Sequence, residues 1–115
     1  ARIQYALPQD GLSFDWAGRV WCNPPFGSET AKWLKRCAEH GDAIALVFAR
    51  TETQMFFDHV WSKASALLFL KGRPHFYRPD GQRSHGNSGG PIVLIAYGDY
   101  NADRLLLLSG AFVRL

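Results

Sequence analysis

Apolar residues along the chain fall into runs whose lengths and spacing indicate distinct elements. Residues 43–48 form a continuous apolar run, which is typical of a strand buried on both faces of a sheet. Residues 66–70 predict another buried strand, and residues 91–97 predict a further one. A shorter run over residues 20–22 ends where Asn23 is followed by two prolines, which cannot donate hydrogen bonds to a sheet.

Between these runs, the apolar residues recur at helical spacing. One face of a helix is formed by four such residues: Ala31, Leu34, Cys37 and Ala38. Ser28 is predicted to cap the start of this helix, and Gly41 to end it. A second helix is predicted over residues 54–61, with Thr53 as its cap. The tail, residues 102–115, fits either a helical turn or an edge strand.

The alternation of strand and helix over residues 20–70 predicts parallel strands joined by helical crossovers. Sheets of this kind bind ligands at the carboxyl ends of their strands. Residues 23–26 follow the first predicted strand, residues 50–52 the second and residues 71–73 the third. Because these carboxyl ends share one edge, we expect the loops to converge on a single site.

The chain of 115 residues is long enough for one core and is predicted to be a single domain over residues 1–115. Turn signals predict an irregular segment over residues 1–18. No apolar run approaches the roughly 20 residues of a membrane span, and no signal-peptide pattern is present. Cys22 and Cys37 fit neither a disulfide framework nor metal-ligand spacing, so we expect reduced thiols, an intracellular protein and no metal site.

The positive charge of the chain is concentrated in one segment, residues 71–90. Its basic residues are Lys71, Arg73, Arg78 and Arg83. Asp80 is the one acidic residue there, so this segment accounts for the whole net charge of +3. Aromatic and histidine side chains at 75–77 lie between the cations, and this combination predicts a nucleic-acid contact loop. The alternative is a solvated loop whose charge is incidental.

The stretch Asn23-Pro24-Pro25-Phe26 has chemistry suited to an aromatic amine. The lone pair of such an amine is delocalised into the ring, and two hydrogen-bond acceptors aimed at its N–H groups favour a localised lone pair. Asn23 offers a side-chain carbonyl, and Pro24 offers a backbone carbonyl whose direction is restricted by its ring. Phe26 offers a face on which a flipped base stacks, contributing about 1–3 kcal/mol. The alternative is a structural turn, with Phe26 in the core.

Several segments of the chain resemble the phage-type DNA N6-adenine methyltransferases, often called Dam-like. Those segments are Asp10-Gly11-Leu12 with Trp16, then residues 18–26, 49–53 and 69–73, and the glycine-rich stretch before residues 91–94. The tetrad alone is shared with enzymes that methylate amino groups of RNA or of protein glutamine. The surrounding segments make the DNA family the more specific match.

This resemblance implies an α/β fold of the Rossmann-like methyltransferase type, truncated, with a mostly parallel sheet and a last antiparallel strand. It implies S-adenosylmethionine as methyl donor, double-stranded DNA as substrate, and a cytoplasmic protein of a bacterial host or encoded by a phage or prophage. Asn23, Pro24, Pro25 and Phe26 are then the catalytic motif. Arg50 is expected to shape the substrate site, or alternatively to form a local ion pair with Glu52. The basic residues Lys71, Arg73, Arg78 and Arg83 are expected to contact DNA.

The match lacks the upstream units that hold the donor in this family, and no donor-binding residue is assigned. The segment before Val20 is too short for the usual cofactor-binding strand–helix units. The chain is therefore expected to be the catalytic-motif part of the fold, as a fragment, as a shortened relative, or as one half of a homodimer. The rival functions are a catalytically incomplete nucleic-acid-binding protein and a methyltransferase of RNA or protein glutamine.

Overall fold

The structure is a computed structural model that describes residues 3–5, 16–25, 27–72 and 90–115. Its strands are Ile3–Tyr5 (β1), Val20–Cys22 (β2), Ala43–Phe48 (β3), Ala66–Phe69 (β4), Ile92–Tyr97 (β5) and Ala111–Arg114 (β6). Its helices are Thr30–His40 (α1), Gln54–Phe56 (α2), which continues as a π-helical turn over Phe57–Trp61, and Asp99–Leu105 (α3). No helix in these ranges combines the length and the apolar character needed to cross a membrane.

The described strands form one mixed sheet in the order β1-β2-β3-β5-β4-β6. The α/β class is confirmed, whereas the predicted mostly parallel sheet is wrong: two pairings are parallel and three are antiparallel. β5 pairs antiparallel with both β3 and β4, so β4 points the same way as β1, β2 and β3. The chain leaves β4 and enters β5 at the same edge of the sheet, which requires β5 to run in the opposite direction.

Helices cover the two faces of the sheet unequally. On the first face, α1, α2 and the π-helical turn pack on a buried cluster that includes Leu34, Phe56 and Val60. On the second face, α3 covers a smaller cluster centred on β4 and β5. All six residues of β5 are buried, whereas β3 alternates between buried and half-buried residues. Burial of β3 on both faces, which its apolar run predicts, is therefore wrong for the second face, because α3 does not extend over β3.

The helix boundaries follow some of the local signals and depart from others. Gly41 ends α1 with a left-handed φ of 77°, as predicted. Thr53 caps α2 by accepting a hydrogen bond from the backbone N–H of Phe56. The prediction of Ser28 as a cap is wrong, since α1 begins at Thr30 and its preceding residue Glu29 makes no side-chain cap. The chain at residues 27–30 first makes a turn, closed by the hydrogen bond from Thr30 N to Gly27 O.

The local sequence predicts β1, α3 and β6 only weakly or ambiguously. β1 lies within the segment predicted to be irregular, and it pairs parallel with β2. Both alternatives for the tail occur in part: α3 includes Leu105, and β6 forms an edge strand beside β4. α3 begins at Asp99, directly after β5, which the apolar pattern does not indicate.

Candidate functional site

The carboxyl ends of β2, β3 and β4 lie at the same edge of the sheet, as the alternation of elements predicts. Asn23 follows β2, Arg50 follows β3 by two residues, and Lys71 follows β4 by two residues. β5 separates β3 from β4, so Lys71 is two strand spacings from Arg50, roughly 10 Å across the sheet. Asn23 and Arg50 therefore follow adjacent strands at this edge, and Lys71 lies farther away.

The loop after β2 presents two carbonyl groups of the predicted catalytic motif. Asn23 is exposed and Pro24 is buried. Among the described residues, no hydrogen bond reaches the side chain of Asn23 or the backbone oxygen of Pro24. Phe26, the predicted stacking residue, lies outside the described residues. The two oxygens that the motif chemistry requires are therefore not used by the described part of the fold.

A contact that the sequence analysis did not identify holds this loop. The hydroxyl of Thr30 donates a hydrogen bond of 2.6 Å to the backbone oxygen of Pro25. Thr30 is buried at the first residue of α1, whose inner face packs on the core. The hydrogen bond ties the end of the Asn-Pro-Pro stretch to a rigid helix. A threonine a few residues after the motif is the only sequence signal for it.

A cleft of about 490 Å³ lies beside this loop. It is bounded by the turn and first residues of α1, by the end of β3, and by the start of α2: Gly27, Ser28, Thr30, Ala31, Val47, Phe48, Arg50, Thr53 and Met55. Its volume falls within the range of about 300–1,000 Å³ that is usual for small-molecule sites. Arg50 lines the cleft as the sequence predicts, whereas Asn23 and Lys71 are not among its lining residues.

Phe48 and Arg50 form the wall of the cleft next to β5. The guanidinium carbon of Arg50 lies 5.4 Å from the centre of the Phe48 ring, within the range of a cation–π contact. Behind the ring, a Cβ placed on Gly90 would meet Phe48 Cδ1 at 3.1 Å, so a side chain at position 90 would require the ring to move by a few tenths of an ångström. Thr53 donates a hydrogen bond of 2.8 Å to the backbone oxygen of Arg50, which holds the start of this loop.

Of the predicted cationic residues, the structure describes Arg50 and Lys71. Arg50 is exposed at the cleft and Lys71 is exposed beyond β4. No ion pair joins Arg50 to Glu52 within the part of the chain that the structure describes, so the alternative of a local ion pair is not supported. Arg73, Arg78 and Arg83 lie outside the described residues, as does most of the basic segment.

Two thiols and a phenol lie in the core beneath the motif. A hydrogen bond with the Cys22 side chain, together with burial, raises the pKa of Cys37 well above its ordinary value. Burial raises the pKa of Tyr97 above its ordinary value, and the neighbouring thiols contribute to this shift. The hydroxyl of Tyr97 donates a hydrogen bond of 2.6 Å to the backbone oxygen of His59. These protonated, buried groups support the sheet beneath the site and are not suited to act as nucleophiles.

The described residues do not form a cradle for S-adenosylmethionine. Arg50 is the charged side chain among those that line the cleft, and a guanidinium disfavours a neighbouring sulfonium cation. The loop that follows β1, residues 6–15, lies outside the described residues. Within the described ranges, no group of three or more His, Cys, Asp or Glu residues is arranged to hold a metal ion. The site therefore has groups for a substrate amine and for a phosphate, and no assigned donor residues.

Comparisons with known proteins do not identify a family for this chain. Comparison of the chain with protein-family models, with curated protein sequences and with solved structures finds no match.

Proposed function

We propose that this chain carries the substrate-binding and catalytic-motif part of a DNA adenine-N6 methyltransferase. The observation that carries the proposal is the pair of carbonyl groups at Asn23 and Pro24, at the carboxyl end of β2, with no hydrogen bond from the described residues. The neighbouring oxygen of Pro25 differs from them, because it accepts a hydrogen bond from the hydroxyl of Thr30. Here the hydrogen bond to Pro25 anchors the loop and leaves the other two oxygens for a substrate.

The chemistry follows from what the two oxygens do to an amine. Asn23 Oδ1 and the Pro24 oxygen accept one hydrogen bond each from the exocyclic NH₂ of a flipped adenine. When both N–H groups donate hydrogen bonds in this way, a tetrahedral nitrogen is favoured, and its lone pair is available for bond formation. Because proline restricts φ and Thr30 anchors the next residue, the Pro24 oxygen is preorganised, and preorganised groups are a main source of catalysis in a reaction of this kind.

The strand directions support a Rossmann-like methyltransferase fold for this domain. β1, β2, β3 and β4 share one direction, and α1 and α2 connect β2 to β3 and β3 to β4. The predicted last strand, β5, is antiparallel, although it lies inside the sheet. The substrate then approaches the carboxyl edge, where ligands bind in sheets of this class.

Double-stranded DNA is the proposed substrate because cations accompany the amine-binding oxygens. Arg50 at the cleft and Lys71 two strand spacings away are spaced to contact a phosphate backbone. The net charge of +3 favours a polyanion, and phosphate contacts position a protein on DNA without reading its sequence. We place the protein in the cytoplasm of a bacterial host, where it meets DNA.

S-adenosylmethionine is the proposed methyl donor, and when bound it supplies an electrophilic methyl group. Since the described residues lack a cradle for it, the donor site is expected to use residues outside the described ranges or a second copy of the chain. Isothermal titration calorimetry with the donor tests this. A chain that binds duplex DNA and no donor would be a nucleic-acid-binding protein that does not catalyse the reaction alone.

Transfer of a tritium-labelled methyl group from S-adenosylmethionine tests the whole proposal. We expect label in adenine-containing duplex DNA, and none in transfer RNA or in a glutamine-containing peptide. Asn23→Ala should abolish transfer while duplex binding is retained. Gln54→Ala, which removes another exposed amide, should leave transfer unchanged. Label in RNA or peptide instead of DNA would reject DNA as the substrate.

A further inference from the structure

A second cavity lies away from the motif, at the amino ends of β2 and β3. It has a volume of about 390 Å³ and is lined on the second face of the sheet by residues of β2, β3 and α3. Arg19, which precedes β2, is about 13 Å of extended chain from Asn23, and Trp21, the lining residue nearest to the motif in sequence, is about 7 Å from it. Nothing in the proposed methyl transfer uses it.

Two arginines and a tyrosine form the mouth of this cavity. The guanidinium carbon of Arg19 lies 3.6 Å from the centre of the Tyr100 ring, and that of Arg104 lies 6.0 Å from it. Tyr100 is half exposed, at 50%. Within the described residues, Arg104 makes no ion pair. An exposed aromatic ring with two cations close to it offers both a stacking surface and an anion-binding pair.

The charge of Arg19 is only partly compensated. Its Nε atom is buried and makes no hydrogen bond in the described part of the chain. The nearest carboxylate oxygen, Asp42 Oδ1, is 3.9 Å away, and it already accepts a hydrogen bond of 2.8 Å from Asn101. The rest of the Arg19 side chain is 41% exposed, so it is accessible to an anionic ligand.

The interior of the cavity suits a planar heterocycle. Trp21 and Ile44 make an apolar floor, and Trp21 is half-buried. Asn101 also lines the cavity, and its Nδ2 donates to both Asp42 Oδ1 and Tyr97 O. Its amide oxygen remains as an acceptor that no described donor uses. The cavity therefore combines a flat aromatic surface, one hydrogen-bond acceptor and a cationic mouth.

We propose that this cavity is a binding site for a nucleoside 5′-phosphate, separate from the site of methyl transfer. The base stacks on Trp21, its amino group donates to Asn101 Oδ1, and the phosphate contacts Arg19 and Arg104. The ligand is either a free mononucleotide or one nucleotide of a single strand, because both present the same chemistry. The two guanidinium groups disfavour the cationic methyl donor at this position.

Calorimetric titration with AMP, adenosine and inorganic phosphate tests this site. AMP should bind more tightly than either component, because the base and the phosphate contact different groups. Arg104→Gln should weaken AMP about tenfold and leave adenosine unchanged, since it removes one charged hydrogen-bond donor. Arg36→Gln is the matched control: its guanidinium contacts the Trp16 ring at 4.9 Å on the other side of the sheet. It should not change AMP binding.

The position of the ligand is read from the indole N–H signal of Trp21 in a two-dimensional NMR spectrum, assigned with Trp21→Phe. AMP should shift this signal in the unmodified chain and in Asn23→Ala alike, whereas Asn23→Ala loses methyl transfer. Displacement of AMP by a short single-stranded oligonucleotide identifies the strand as the ligand, and no displacement identifies the free nucleotide. Equal binding of phosphate and AMP, no shift at Trp21, or equal affinity in Arg104→Gln would overturn the proposal.

Discussion

Thr30 Oγ1 lies 2.6 Å from the backbone oxygen of Pro25 and donates a hydrogen bond to it. This contact joins the first residue of α1 to the loop that carries Asn23 and Pro24. Because α1 packs on the core through Leu34 and Cys37, the position of the loop is coupled to the stability of the helix. Substitutions at Thr30 therefore test how the loop is held in position, without removing the oxygens of Asn23 and Pro24.

Thr30→Val should reduce the free energy of unfolding by about 1–2 kcal/mol, because it removes a buried hydroxyl and leaves the Pro25 oxygen without its donor. The side-chain volume is nearly unchanged, so packing contributes little. Urea denaturation monitored by circular dichroism measures the change. In the methyl-transfer assay, the same variant should lower the rate by releasing the loop.

Thr30→Ser keeps the hydroxyl and should retain most of the rate. Thr51→Val is the matched control, because the Thr51 hydroxyl makes no hydrogen bond among the described residues. If Thr30→Val and Thr51→Val lower stability equally, then the contact with Pro25 does not anchor the loop.

Gly90→Ala should displace the ring of Phe48, since a Cβ at position 90 would lie 3.1 Å from Phe48 Cδ1. Overpacking of this kind costs about 1–3 kcal/mol of folding stability. The displaced ring would also change the wall of the cleft beside Arg50. Thermal unfolding measures the cost, and duplex-DNA affinity measures the effect on the cleft.

Phe48→Leu tests whether the Phe48 ring is the cause of the stability loss in Gly90→Ala. A smaller side chain leaves room for the new methyl group, so Gly90→Ala should cost less in the Phe48→Leu background than in the unmodified chain. Equal costs in both backgrounds would mean that the effect of Gly90→Ala does not come from the Phe48 ring.

The core thiols and phenol predict a loss of stability at alkaline pH. Cys37 has a pKa raised above its ordinary 9.0, and Tyr97 a pKa raised above its ordinary 10.0. Above each ordinary pKa the unfolded chain releases the proton, whereas the folded chain keeps it. The stabilisation is therefore complete below pH 9 and decreases as the pH rises, by about 1.4 kcal/mol per pH unit for each group.

Urea denaturation at intervals between pH 7 and pH 11 measures this dependence. Tyr97→Phe should be less stable at pH 7, because it loses the hydrogen bond to His59 O, yet its stability should fall less steeply above pH 10. Cys37→Ala should flatten the curve from pH 9 upward. A stability that rises from pH 9 to pH 10 would contradict the assignment of Cys37 as buried and protonated, and a rise from pH 10 to pH 11 would contradict that of Tyr97.

The elements that could be predicted from the sequence are those determined by local chemistry. Gly41 adopts a left-handed conformation that favours glycine, and Thr53 carries a side-chain oxygen one residue before its helix. β3 coincides with its apolar run, since the length of a strand is read from that run. The shared carboxyl edge followed from the alternation of strands and helices, which is also a local pattern.

What could not be predicted depends on residues that are distant in sequence. β5 lies between β3 and β4, where all six of its residues are buried. The order of strands in a sheet depends on such packing and cannot be read from the local sequence. The contact of Arg19 with Tyr100 arises only once α3 packs beside β2 and β3. Ser28 has the residue type of a cap, but the turn that Thr30 closes delays the start of the helix.

The central claim is that Asn23 and Pro24 bind the amino group of an adenine. It is tested without the methyl donor by comparing two duplexes that differ in one unpaired base: adenine, or the purine of 2′-deoxynebularine, which lacks the 6-amino group. Unpaired bases leave the stack at low cost, so the recognition sequence is not needed to present the base. Fluorescence anisotropy gives the dissociation constant of each duplex for the unmodified chain, for Asn23→Ala and for the control Gln54→Ala.

The unmodified chain and Gln54→Ala should prefer the adenine duplex by about tenfold, because two hydrogen bonds are gained. Asn23→Ala should retain about threefold, from the Pro24 oxygen alone. Equal affinity of the unmodified chain for the two duplexes, or an undiminished preference in Asn23→Ala, would contradict the account.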